Sequence, residues 1–120
     1  MAQFRFAFTA RSYDSTVAFY TDVLRLEVVH SWDDHGRGTI VAAADGQIEM
    51  FDGDPDSDVV NGVALAWEID DIDEEYERLR ALGVEFLAPP QDQPWGHRNA
   101  TFAAPEGLAI TLFTDVGDAP

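Results

Sequence analysis

The sequence predicts an α+β fold made of two βαβββ modules. Stretches with strand-like alternation and stretches with helical spacing of apolar residues follow one another in the same order twice, at a spacing of about 60 residues. Each half also ends in a glycine-containing turn and an alternating strand that closes on a phenylalanine, Phe51 in the first half and Phe113 in the second. The two halves share little sequence identity, so the order of the elements carries this prediction.

The first half supplies one complete module. In QFRFAFTA, phenylalanines alternate with smaller or polar residues, which predicts a strand with one aromatic face. YDSTVAFYTDVLRLE has apolar residues at helical spacing, and Asp14 or Ser15 can cap the start of that helix. EVVHSW, TIVAAA and QIEMF then predict three strands, joined by the turn DDHGRG and by a tight hairpin turn at Asp45 and Gly46.

The second half repeats the same order of elements. VALAWEI predicts a strand, and DDIDEEYERLRALG predicts an amphipathic helix that stops at Gly83. VEFLAP, RNATFAA and LAITLF predict three further strands, with PQDQPWGH as a loop between the first two. We therefore expect a single domain, residues 1–120, with module one at about 1–52, an acidic Pro- and Gly-containing connector at 53–61 and module two at about 62–115.

The composition narrows the possible partners. The 120 residues carry a formal net charge of −16, from 23 acidic and 7 basic residues, and include no cysteine. Nucleic-acid phosphates and anionic membranes repel such a chain, so we expect neither as a partner. The lack of cysteine excludes thiolate metal sites, and with no visible signal peptide or membrane helix it favours a cytoplasmic protein. The acidic surface either keeps the protein solvated or attracts a cationic ligand.

Three motifs, in this order along the chain, resemble the vicinal-oxygen-chelate superfamily, which includes glyoxalase I, bleomycin-resistance proteins and extradiol dioxygenases. They are DSTVAFYTDVLRLEVV, LAWEIDDIDEEYERLRALGVEF and QPWGHRNATFAAPEGLAITLF. Arg25 replaces a usual glycine in the first motif, and Ala104 replaces a usual aspartate in the third. The resemblance covers essentially the whole chain. It implies a curved mixed sheet around a cavity, the glyoxalase/bleomycin resistance fold, and commonly a homodimer.

The resemblance also implies a metal site with one ligand from each of four strands. By motif register these positions hold Arg5, Glu49, Ala64 and Thr111, and of the four only Glu49 can be a ligand. One carboxylate does not hold a divalent metal ion against water, and a fixed guanidinium disfavours a cation beside it. We therefore expect no metal and no cofactor. We expect instead that Arg5 and Glu49 form a buried ion pair across the former metal position.

Alternation of side chains suggests what lines the cavity. Arg5, Glu49, Phe51, Thr111 and Phe113 occupy positions on the face expected to be concave, with several alanines between them. A cavity with small residues in the middle, phenylalanine walls and a few polar groups suits an organic ligand better than an ion.

The loop Trp95-Gly-His-Arg supplies further candidates for ligand binding. Trp95 can stack on a planar or cationic ligand. His97 can act as an acid or base at the cavity mouth, or it is an exposed loop residue. Arg98 can bind a carboxylate or hold the loop by pairing with an acidic residue. The three histidines, at 30, 35 and 97, do not stand at local metal-ligand spacing, and the acids of DDIDEE complement a helix dipole rather than forming a calcium loop.

Three functions remain open from the sequence. The first is a homodimeric binding protein that sequesters a small aromatic or cationic molecule, as antibiotic-resistance proteins of the superfamily do. The second is an enzyme, either a metal-dependent lyase, isomerase or dioxygenase, or a metal-independent one with Glu49 or His97 as the base; no catalytic residue is assigned firmly. The third is an accessory domain without a small ligand. The discriminating feature is whether two or more ligand-type side chains converge with Glu49.

Overall fold

A computed structural model describes residues 3–56 and 62–117. The chain divides into two compact units, residues 1–61 and 62–120. Part of the expected connector, residues 57–61, lies outside the described residues. No helix in the described ranges is long and apolar enough to cross a membrane.

The first unit is a four-stranded mixed sheet with one helix. Its strands stand in the order β1-β4-β3-β2, with β1 parallel to β4 and the other neighbours antiparallel. The elements are β1 (Arg5–Ala10), α1 (Tyr13–Ala18) with a π-helical continuation (Phe19–Val23), β2 (Val28–Trp32), β3 (Gly38–Ala43) and β4 (Gly46–Asp52).

The second unit has the same topology. Its strands stand in the order β5-β8-β7-β6, again with one parallel pair, β5 with β8. The elements are β5 (Ala64–Glu68), α2 (Ile72–Ala81), β6 (Phe86–Asp92), β7 (His97–Ala103), a short 3₁₀ turn (Pro105–Gly107) and β8 (Ala109–Asp115). The predicted pair of βαβββ modules is therefore confirmed.

One face of each sheet is buried. In the first unit the helix-facing strand positions include Phe8 and Met50, which pack with Tyr20 of the helical segment, and in the second unit they include Phe102 and Leu112, all nearly inaccessible to solvent. Each such side chain contributes about 1.5–3 kcal/mol through burial. Because successive strand residues point to opposite faces, the residues between these core positions form the second, more open face of each sheet.

The first helix begins earlier than predicted. Asp14 and Ser15 lie inside its first turn, and Ser12 occupies the N-cap position without a side-chain hydrogen bond to the helix. The predicted cap was wrong because Asp14 pairs instead with Arg37, at 3.0 Å, and the Ser15 hydroxyl donates to the Ser12 carbonyl. In the second helix, by contrast, the Asp71 carboxylate accepts from the Glu74 amide at 3.1 Å.

Two boundaries differ from the expectation. The β3–β4 hairpin turns at Ala44 and Asp45, one residue before the predicted Asp-Gly pair, with Ala44 at a φ of +51° and Gly46 as the first residue of β4. Strand β6 continues through Pro89 and Pro90, which were expected to end it. It can do so because it is one of the two outer strands of its sheet and its register with β7 shifts around the prolines.

Candidate functional site

The open face of the first sheet carries two cross-strand rows of side chains. Strand pairing aligns Glu49 with Ala7 on one side and with Ile40 on the other, and Ile40 aligns in turn with His30. The neighbouring row contains Thr9, Phe51, Gly38 and Trp32. The pairing of these strands therefore brings a carboxylate, an imidazole and an indole to one surface.

Arg5 and Glu49 form the predicted ion pair. The Arg5 Nη1 lies 3.4 Å from the Glu49 Oε1, and the Arg5 Nη2 donates to the Gln3 Oε1 at 2.6 Å. The pair is not buried as expected: the Arg5 side chain is 37% exposed and that of Glu49 is 14% exposed. Arg5 is aligned with Gln47 rather than with Glu49, so its side chain reaches diagonally across the two strands.

Aromatic rings form a wall beside this pair. The His30 and Trp32 rings stack with centroids 5.6 Å apart and planes inclined at 27°, and Trp32 meets Phe51 edge-on at 6.0 Å. The indole lies directly over Gly38, where a Cβ atom would come within 2.0 Å of the Trp32 Cζ2. Because Gly38 has no side chain, the Trp32 indole can pack directly against the backbone of the strand.

The ion pair and the stacked His30 and Trp32 rings line a groove of about 750 Å³ that is open to solvent. Its lining combines the ion pair, the stacked rings, one aliphatic side chain and the hairpin loop after β2; the residues are Arg5, His30, Ser31, Trp32, Asp33, Asp34, His35, Ile40 and Glu49. Three carboxylates face one guanidinium in this groove, so its charge is negative when the histidines are neutral.

Sequence reasoning did not assign the groove residues on β2 and β3. His30 enters the sequence-based predictions only as a candidate metal ligand, and Trp32 and Ile40 are not among the predicted site residues. Alternation along VVHSW does place His30 and Trp32 on one face. What the sequence does not reveal is the register shift between Val28 and His30, which sets their partners on β3.

On the open face of the second sheet, the row equivalent to that of Glu49 is uncharged, and the row beside it aligns Glu68 with Phe113. The Thr111 and Thr101 hydroxyls share a hydrogen bond of 2.7 Å. His97 stacks on Phe113, with ring centroids 4.4 Å apart and planes inclined at 14°. His97 is therefore a half-buried strand residue rather than an exposed loop residue, and it and Phe113 support each other.

Trp95 is exposed in a turn, and Arg98 is paired with acidic residues. Trp95 is 61% exposed in the turn between β6 and β7. The Arg98 guanidinium pairs at 3.1 Å with Asp73 at the start of α2 and at 3.1 Å with Asp92, and these hydrogen bonds raise the pKa of Arg98. Of its two sequence-based roles, the structure favours holding the loop.

Tyr20 is a core residue. Its side chain is fully buried, and in the described part of the chain its hydroxyl has no hydrogen-bond partner. Burial raises the pKa of the Tyr20 phenol well above its usual range. The ring packs against Phe8 and edge-on to Phe19, so it stabilises the contact between α1 and the sheet.

The residues at the four metal positions that the resemblance implies do not fit a divalent cation. They offer one carboxylate, and the guanidinium of Arg5 already contacts it. Ala64 has no donor atom, and the Thr111 hydroxyl is engaged with Thr101. Within residues 3–56 and 62–117, no three His, Cys, Asp or Glu side chains are arranged to hold a metal ion. A site of this type usually needs about three protein ligands.

Known proteins were compared with the chain as a whole. The sequence pattern of the Glyoxalase/Bleomycin resistance protein/Dioxygenase superfamily matches residues 3–112. No curated protein matches the chain.

Similar solved structures span almost the entire chain. TnmS3, an antibiotic binding protein from Streptomyces sp. CB03234, is 27% identical, with a TM-score of 0.75 and 96% of each chain covered. A member of the same superfamily from Sphaerobacter thermophilus is 25% identical, with a TM-score of 0.76, over 95% of this chain and 97% of that one. A lactoylglutathione lyase from Agrobacterium tumefaciens shares the fold, at 22% identity and a TM-score of 0.74, over 94% of this chain and 92% of that one. With the repeated βαβββ topology, the match over residues 3–112 shows that the chain belongs to the glyoxalase/bleomycin resistance protein/dioxygenase superfamily.

Proposed function

We propose that this protein binds a small aromatic or cationic organic molecule in the groove on the first sheet and sequesters it without a metal ion. The observation that carries the proposal is the aromatic wall of His30, Trp32 and Phe51 beside the half-buried Glu49 carboxylate. Planar ligands gain most from such a surface, because a flat ring buries a large apolar area on an indole and prefers offset stacking.

The wall is suited to recognition because it is held in place. Trp32 is fixed from three sides, by His30, by Phe51 and by the strand at Gly38. A ligand that stacks there loses its own freedom but orders little of the protein, which favours binding. The groove volume of about 750 Å³ lies in the range of pockets that hold drug-sized molecules.

The comparisons support a binding role. The relative from Streptomyces at 27% identity is described as an antibiotic binding protein. Sequestration of such a molecule requires a fitted surface and no catalytic group. The alternative, a metal-dependent lyase, isomerase or dioxygenase, has less support, because the ligand set at the superfamily positions holds a single carboxylate.

Two further expectations belong to this proposal. We expect a homodimer, the assembly that the superfamily often forms, and a cytoplasmic location. Size-exclusion chromatography with light scattering tests the first expectation, and a mass corresponding to one chain would contradict it. Fractionation of the source cells tests the second.

The test of function measures the affinity for planar aromatic molecules by calorimetry, with the combined emission of the three tryptophans as a second signal. We expect quenching on binding, and we expect Trp32→Ala to remove most of the affinity. Trp95→Ala, at the tryptophan favoured by sequence, is expected to have a much smaller effect. Loss of binding in Trp95→Ala with full binding in Trp32→Ala would place the site elsewhere.

A metal titration tests the alternative. Elemental analysis of the purified protein and calorimetry with Zn²⁺, Ni²⁺, Mn²⁺ and Fe²⁺ are expected to show no stoichiometric binding. Tight binding of one ion per chain that disappears in Glu49→Gln would contradict the metal-free proposal and favour lyase or dioxygenase activity.

A further inference from the structure

We propose that Arg5 acts as an internal competitor for Glu49, and that the groove selects planar organic cations because the ligand's positive group displaces Arg5 from that carboxylate. This inference rests on the proposed function and specifies which ligands the site prefers. It makes Glu49 the charge-recognition group, Trp32 the stacking platform, and Arg5 the residue that satisfies Glu49 until a ligand arrives.

The first step concerns the strength of the Arg5–Glu49 pair. It consists of one contact at 3.4 Å. Other arginine–acid pairs in the chain are tighter: Arg78 makes two hydrogen bonds to Glu75, at 2.6 and 2.8 Å, and Arg98 makes three to Asp73, each at 3.1 Å. A long contact with a single donor lacks the strength and geometric specificity of a bidentate pair, so a competing cation can replace it.

The second step concerns what each partner loses when the pair opens. The Glu49 side chain is 14% exposed, so it is the more shielded member of the pair and depends more on a positive partner. Arg5 is 37% exposed and keeps its 2.6 Å hydrogen bond to Gln3. Opening the pair is therefore easier for Arg5 than for Glu49, and a ligand cation that reaches Glu49 restores the missing interaction.

The third step concerns the sign of the charge that the groove attracts. Apart from Glu49, the lining includes the carboxylates of Asp33 and Asp34 and, when the histidines are neutral, no cation other than Arg5. The chain as a whole has a net charge of −16. Both features attract cations and repel anions, and a cleft concentrates this effect.

The fourth step concerns distance. Glu49 on β4 and His30 on β2 are separated by strand β3, so two strand spacings, about 10 Å, lie between them. A ligand of three fused aromatic rings spans a comparable length. Such a molecule can place a charged nitrogen at Glu49 while its rings lie along the stacked His30 and Trp32.

The experiment compares two matched probes on the full-length protein. Proflavine is a planar aromatic cation, and acridine is its parent ring, which is neutral at mildly alkaline pH. Dissociation constants for both are measured by fluorescence at low and high salt for the wild type, Arg5→Met, Glu49→Gln, the double variant, and Glu77→Gln. The last variant removes one negative charge from an exposed position on α2, and thermal unfolding confirms that each variant is folded.

We expect the wild type to prefer proflavine, with a preference that weakens in high salt. Glu49→Gln should weaken proflavine binding roughly tenfold or more, since it removes a charge-assisted hydrogen bond. Arg5→Met should strengthen proflavine binding roughly two- to fivefold, because the partly exposed Arg5–Glu49 pair no longer has to be broken. Neither substitution should change acridine binding, Glu77→Gln should leave both probes unaffected, and Arg5→Met should have no effect once Glu49 is glutamine.

Three outcomes would overturn the inference. Equal binding of both probes, lost in Trp32→Ala, would leave the proposed function standing and exclude selection by charge. Weaker proflavine binding in Arg5→Met would show that Arg5 supports the site rather than competes for it. An acridine carboxylate that binds more tightly than proflavine and depends on Arg5 would assign an anion site. If none of the probes binds the wild type, the proposed function itself fails.

Discussion

The two sheets have the same strand topology but differ in the chemistry of their open faces. Strand pairing aligns Glu49 with Ala7 in the first sheet and Thr111 with Ala66 in the second, so the two sheets can be compared position by position. Where the first sheet has a carboxylate, an isoleucine and a histidine in one row, the second has two threonines and an alanine; those residues are Glu49, Ile40 and His30, and Thr111, Thr101 and Ala88.

This difference shows that the two faces of each sheet are under different constraints. The buried faces must both fill a core, so they remain alike in character, with large apolar residues at equivalent positions such as Met50 and Leu112. The open faces are free of that requirement. In the central row of the open face, the first sheet has the Glu49 carboxylate and the His30 ring, while at the equivalent positions the second sheet has two threonines whose hydroxyls bond to each other.

The largest expected effect tests whether the two cores are equivalent. Met50→Ala and Leu112→Ala remove nearly inaccessible side chains from corresponding positions. Each should lower the free energy of unfolding by about 2–5 kcal/mol, because lost burial and the remaining cavity add together. Urea denaturation measures both. A loss below about 1 kcal/mol for either variant would mean that its sheet can repack and that the cores are not equivalent.

The second prediction compares substitutions of two glycines, Gly38 and Gly46, in the β3–β4 hairpin. A Cβ at Gly38 would collide with the Trp32 indole, whereas one at Gly46 would meet nothing closer than 3.7 Å. Gly38→Ala should therefore reduce stability by about 1–3 kcal/mol and move Trp32 into solvent, with a red-shifted emission. Gly46→Ala serves as the matched control and should change neither property much.

The role of Trp32 in this effect can be checked directly. In a Trp32→Ala background the collision is absent, so Gly38→Ala should no longer be destabilising. If it remains as harmful there as in the wild type, Gly38 is required for a reason other than the indole.

A third prediction concerns the uncharged pair of the second sheet. Thr111→Val removes one hydroxyl and leaves that of Thr101 without its partner, which should lower stability by about 0.5–1.5 kcal/mol. The double variant with Thr101→Val should recover part of the loss, because both polar groups are then gone. Chemical denaturation of the three variants tests this, and a double variant less stable than the sum of the single losses would contradict it.

The smallest effect compares the ends of the two helical segments. Arg25 and Gly83 both follow a helix and both have positive φ, +59° and +90°. Glycine adopts this conformation without strain, and other residues do not. Arg25→Gly should therefore raise stability by about 0.5–1 kcal/mol, and Gly83→Ala should lower it by a similar amount or more. Thermal unfolding would contradict this if both variants shifted the midpoint in the same direction.

The sequence was sufficient for the fold and for part of the site. The alternation or helical spacing of apolar residues indicates which face of a strand or helix is buried. The pattern of buried faces in turn restricts the possible topologies. The Arg5–Glu49 contact was expected because the resemblance to the superfamily places both residues at its metal positions. Its exposure did not follow, because the solvent accessibility of a long side chain depends on its neighbours rather than on its own position.

The remaining features depend on register and on local competition for hydrogen bonds. The shift in pairing near Val28 decides where Trp32 lies, and no local pattern encodes it. The predicted start of α1 was wrong because Asp14 forms an ion pair with Arg37, which is distant in sequence, and does not cap the helix. Ala44 adopts a left-handed backbone conformation in the β3–β4 turn. This conformation is tolerated because the strands on both sides of the turn already pair.

The prolines of β6 have a consequence for how molecules of this protein meet at high concentration. An outer strand with unpaired amide groups is a template on which a strand from another chain can add. Pro89 and Pro90 have no amide hydrogen, so β6, one of the two outer strands of the second sheet, is a poor template. Strand β2, at the equivalent edge of the first sheet, has no proline and exposes Val28 and Val29. Of these two edges, β2 should therefore be the one at which aggregation by strand addition begins, and a charged residue in place of Val29 should delay it.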